Sequence, residues 1–139
     1  MSGENERDNL SGFWTGVYDY PVASRAPVPF NAVIEDVAGA LGGEIIEPNT
    51  FSPAKDRELF ASLAGRRDGK AVHFVKTYEE VPRGGHSIVY RGTLDAAGTR
   101  IDGTWRANAF WSGAFVMNRS AGKAATVEDK SKLALATRS

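Results

Sequence analysis

The chain has 139 residues, 42% apolar and 24% charged, enough for one self-sufficient core and incompatible with wholesale disorder. Seventeen basic residues balance seventeen acidic ones, so no net field draws the protein to nucleic acid or to an anionic membrane. Without cysteine there is no disulfide framework, no thiol nucleophile and no thiolate metal site.

The first residues, MSGENERDNLSG, lack the basic-then-apolar order of a signal peptide, and no apolar run approaches membrane-spanning length. A soluble, cytoplasmic protein is the expectation. Residues 1–10 are polar apart from Met1 and Leu10 and read as a mobile arm. Alternating segments then recur over 13–20, 29–36, 41–47, 59–66, 71–78, 87–94, 100–107 and 113–119, separated by Gly, Pro, Asp and Asn. Eight strands are predicted, and no helix among them. A single period-2 face holds Trp14, Tyr18, Phe30, Ile34, Ile45 and Leu63 in the first half. It continues through Phe74, Tyr90, Ile101, Trp105, Phe115 and Met117.

Short and long connections alternate. VAGA, RDGK and DAAGT carry tight-turn chemistry, whereas 21–28, 48–58, 79–86 and 108–112 are longer. In an up-and-down meander every second connection lies at the same end. All short turns therefore gather at one end and all long loops at the other. The domain over 11–119 is predicted to be an all-β, eight-stranded antiparallel up-and-down barrel, whose closure removes exposed sheet edges. A β-sandwich is the alternative, with 48–58 as the connection that changes sheet. Residues 120–139 lose the alternation and read as a mobile tail, with Thr126 as the cap of a competing short helix.

Gly12-Phe13-Trp14 opens the first strand and Arg119 ends the last. This pairing resembles the calycin pattern of lipocalin-like, fatty-acid-binding-like and avidin-like barrels. The resemblance implies that the Trp14 indole packs under Arg119 and seals the closed end. It also implies a small molecule held in the calyx. The eight strands without a helical lid look more avidin-like or lipocalin-like, yet the biotin signature is not visible in GAFVMNR.

The long-loop end is then the mouth. Tyr20, Glu47, Lys76, Tyr78, Tyr90 and Trp105 carry inward parity near it, flat walls with hydroxyl, indole and charged groups. They are the candidate ligand-binding residues, unless the rings simply fill the barrel. Glu47 and Lys76 admit two readings: a charged floor for a ligand, or strand ends reaching solvent at the rim, which is the ordinary outcome. No catalytic residue is assigned. A lyase, isomerase or cyclase with Glu47 as acid–base is the enzymatic alternative, and a filled barrel acting as an interaction module is the structural one. His73 and His86 have no convergent ligands around them, so no metal or cofactor is expected. Val17, Val33, Ile46, Phe60, Val75, Val89 and Val116 share outward parity, a band suited to a homo-oligomer.

Overall fold

The computed structural model describes residues 8–21, 26–48, 58–79, 87–108 and 111–120. They form β1 (Gly12–Tyr18), β2 (Val28–Val37), β3 (Ala40–Pro48), β4 (Glu58–Asp68), β5 (Ala71–Tyr78), β6 (Ser87–Leu94), β7 (Arg100–Arg106) and β8 (Ser112–Ser120). Each strand pairs antiparallel with its sequence neighbours, and β8 returns to β1 through pairs from Phe13↔Ser120 to Tyr18↔Phe115. The sheet is a closed up-and-down barrel, not a sandwich. No α-helix occurs among the described residues.

Turn chemistry sets the registers. Between β2 and β3, Ala38 and Gly39 both have positive φ, 52° and 92°, the pattern whose twist matches the flanking strands. Ala38 is strained there, and the Asp36 Oδ1 atom steadies the turn by accepting the Gly39 N–H at 2.9 Å. Strand ends extend beyond the sequence reading: Arg67 and Asp68 belong to β4 rather than to its turn. Tyr20, in turn, lies past the end of β1.

Inward residues make one contiguous core, from Trp14, Ile34 and Met117 through Phe74 and Ile45 to Tyr18 and Trp105. Size alternation lets it close. Gly16 faces Phe30 on β2, and an added Cβ would collide with the Phe30 ring and crowd the Val116 carbonyl oxygen. A glycine is required because the ring occupies that space.

The short-turn end is sealed by charge as well as by rings. The Arg119 guanidinium lies 4.6 Å from the centroid of Trp14, as the calycin-like motif implies. It donates to the carbonyls of Gly98, Ser11 and Asn9 at 2.9, 2.9 and 2.6 Å, while Trp14 Nε1 donates to Leu10 O at 2.8 Å. The sequence reading missed a second device. Asp36 and Arg67 both face inward and form an ion pair of 2.6 Å with side chains 0% and 2% exposed. Asp36 Oδ2 also accepts the Leu10 N–H at 2.9 Å. These bonds correct one expectation: Asp8, Asn9 and Leu10 are not a loose arm, since Leu10 is buried and Asp8 pairs with Lys70 at 2.7 Å. Residues 1–7, and the tail beyond Ser120, lie outside the described residues.

Burial raises the Asp36 pKa, but the Arg67 guanidinium and the Leu10 and Gly39 amides outweigh it and hold the carboxyl below its usual range. A depressed carboxylate adds stability that is present above its unfolded pKa of about 3.9 and lost as pH falls through the lower folded value. Asp36→Asn removes the carboxylate charge that faces the buried Arg67 guanidinium, and urea denaturation at pH 7 should register a loss of about 3–5 kcal/mol. The variant's stability should depend less on pH below about 4 than the parent's.

Candidate functional site

At the other end of the barrel, β1, β3 and β5 each turn a polar side chain inward within a turn of the mouth. Tyr18 closes β1, Glu47 is the penultimate residue of β3, and Lys76 and Tyr78 share one face of β5. Closure converges them. Glu47 Oε1 accepts from Lys76 Nζ at 2.8 Å, and Glu47 Oε2 accepts from the hydroxyls of Tyr18 and Tyr78, each at 2.8 Å. The Lys76 ammonium also sits over three rings, 4.5 Å from Tyr18, 4.8 Å from Tyr78 and 5.4 Å from Tyr90. A lysine so placed is held by one carboxylate and by the negative faces of the tyrosines.

The solvated-rim reading of Glu47 and Lys76 is overturned. Both side chains of the pair are 1% exposed. Lys76 lies two residues inside the end of β5, beneath Tyr78, too deep for its stem to lift the ammonium into water. Burial pushes the Lys76 pKa down, with the Glu47 charge opposing it. Burial, reinforced by the same carboxylate, pushes the hydroxyls of Tyr18, Tyr78 and Tyr90 far above the ordinary tyrosine range.

Aromatic rings frame the cluster on both sides. Toward the mouth, Tyr20 meets Tyr18, Trp105 and Trp111 edge-to-face at 5.7, 5.7 and 5.8 Å. Trp105 meets Tyr18 at 5.9 Å and donates its indole N–H to Asp19 O at 2.8 Å. On the core side, Tyr90 stacks on Phe74 at 4.9 Å and meets Phe115 edge-to-face at 4.9 Å. Among the described residues every deeply buried polar side-chain atom has a partner.

The structure therefore joins Glu47, Lys76 and Tyr78 directly, places the Tyr90 ring under the ammonium, and sets Tyr20 and Trp105 in the layer above. Tyr18 was missed as a site residue although its inward parity was legible. Parity alone does not separate a ring that fills space from one whose hydroxyl meets a carboxylate. His73 is exposed on the outer wall and His86 lies outside the described residues. Among the described residues no group of three or more His, Asp or Glu could hold a metal ion, and no helix is long and apolar enough to cross a membrane. No protein-family model matches this sequence and no curated protein matches it, so the site is argued from its own geometry.

Proposed function

We propose that the open end of the barrel binds a small, largely apolar or aromatic molecule. The observation that carries this reading is the Glu47–Lys76 pair, 1% exposed among rings at the mouth end of the core. A buried ion pair is weak support for stability, since apolar side chains of similar volume often serve the fold as well. Its position beneath Tyr20 and Trp105 suits a rigid polar floor under flat walls, the usual composition of a small-molecule pocket. Acid–base chemistry at Glu47 is less well supported. The carboxylate is held by three donors, and taking a proton from a substrate would require releasing at least one of them.

Native mass spectrometry of freshly purified protein, compared with the denatured mass, tests the proposal. A reproducible excess mass released on unfolding is the expected result. Titration with a neutral aromatic probe, 1-aminoanthracene, should also saturate. Tyr20→Ala should weaken that binding about tenfold, as removal of an aromatic anchor does, while His73→Ala on the outer wall leaves it unchanged. A bare mass together with no saturable probe binding would overturn the reading. The same spectra count chains, and a homodimer is the assembly that the outward band would serve through Val17, Phe60, Val75, Val89 and Val116, since Val33 and Ile46 are already buried within the chain.

A further inference from the structure

The barrel wall is not equally closed all round. The β1–β2 ladder runs to Tyr18↔Val28 and the β3–β4 ladder to Pro48↔Glu58, but the β2–β3 ladder stops at Asn31↔Ile46. Continuing that register would set Phe30 against Glu47 and Pro29 against Pro48. Neither proline has an N–H to give, so the sequence itself ends the ladder there. The result is a crevice of about 240 Å³ in the side of the barrel near the mouth. Its lining is mixed in chemistry. Pro29, Phe30, Ile46 and Pro48 supply apolar surface, and Thr15 and Asn31 supply a hydroxyl and an amide. Glu58 supplies a half-buried carboxylate for which no cation stands among the described residues. Glu47 also contributes to the lining, but its charge is already matched by Lys76.

We infer that this crevice is a second small-molecule site, separate from the mouth, for an organic ammonium carrying one ring or a short apolar chain. Three features fix that class. The volume admits about one substituted ring, since a cavity of roughly 150 Å³ suffices for benzene. The proline and aromatic walls favour an apolar body. Glu58, which has no cationic partner among the described residues, selects a cation over a neutral or anionic analogue, and Asn31 and Thr15 offer oxygen acceptors for the remaining ammonium protons.

The test is a ¹⁵N–¹H NMR titration of the full chain with three probes of matched shape: benzylammonium, benzyl alcohol and phenylacetate. Benzylammonium should produce saturating shifts at the amides of Thr15, Asn31, Ile46 and Glu58. Benzyl alcohol and phenylacetate should bind there at least about fivefold more weakly, and Glu58→Gln should weaken benzylammonium by a similar factor. Glu58 lies at the first position of β4 with part of its surface in solvent, so the variant keeps the fold, and its spectrum verifies this directly. Absence of saturating shifts at these amides would overturn the inference. So would equal binding of all three probes, an unchanged affinity in Glu58→Gln, or shifts confined to Tyr20 and Trp105, which would assign the ligand to the mouth alone.

Discussion

Glu47→Leu and Lys76→Met should each destabilise the barrel by about 3–5 kcal/mol, and the double variant should recover the share that comes from stranding a charge, but not the acceptor lost to the tyrosine hydroxyls. Each single change leaves one charge in the core, 1% exposed, with no counter-ion to meet it. Glu47→Leu also takes the acceptor from the Tyr18 and Tyr78 hydroxyls. Lys76→Met leaves the carboxylate with its two tyrosine donors, so it should be the milder of the pair. In the double variant both charges are gone, and Leu and Met occupy similar volume between the rings. The double-mutant cycle, read by urea denaturation, should therefore show a coupling well above the few tenths of a kcal/mol of independent sites. Additive losses would mean that the pair is not electrostatically coupled. A double variant as stable as the parent that has lost probe binding would separate the two roles, with the fold independent of the charges and recognition dependent on them.

Alkaline pH should unfold the protein through its tyrosines. Tyr18, Tyr78 and Tyr90 have folded pKa values raised by burial and then by Glu47. A raised acid loses its proton first in the unfolded chain, at about pH 10, so its stabilising effect is full below that pH and declines as pH rises beyond it. Each such group contributes about 1.4 kcal/mol per pH unit above about 10, and three together about 4. Lys76 works in the opposite direction. Its folded pKa is lowered, so between that value and about 10.4 the unfolded chain binds more protons and stability climbs with pH. Above about pH 10.4 the lysine no longer contributes a slope and the tyrosines act alone. Absorbance at 295 nm should show these three of the four tyrosines ionising in one steep step that coincides with loss of the far-ultraviolet β signal. Gradual ionisation with the β signal intact would mean that water reaches the cluster in the folded state.

The architecture was legible because two independent regularities agreed. Inward parity held through all eight strands, and tight-turn pairs such as Ala38-Gly39 recurred after every second strand. The Trp14–Arg119 contact followed from the motif and the register together. What escaped was depth. Arg67 was read as part of a turn because a charge beside Asp68 and Gly69 is commonly solvated, and only closure brings it against Asp36. Leu10 was read with its polar neighbours, although one apolar residue ahead of a strand can cap a barrel floor. Glu47 and Lys76 were placed at the right end with the right parity. Whether their heads turned to water depended on the ring of Tyr78 above them, a three-dimensional fact. The β2–β3 opening was hidden for a similar reason. Pro29 and Pro48 are separated in sequence, and only the β2–β3 register shows that both fall just beyond Asn31↔Ile46, where the ladder stops.

The pairing of Phe13 with Ser120 has a practical consequence for handling the molecule. The first and last strands begin and finish side by side on the sealed floor, the face farthest from the aromatic mouth. A tether attached before β1 or after β8 therefore joins the barrel at its floor, away from the Tyr20 and Trp105 layer. The same proximity makes the barrel a candidate for circular permutation: a short linker could join Ser120 to the Asp8–Leu10 segment packed on the same floor, with new ends cut at the exposed Gly69 in the β4–β5 turn, also on the floor. Such a rearranged chain would keep the mouth loops uncut, so any change in binding could be traced to strand order rather than to damage at the site.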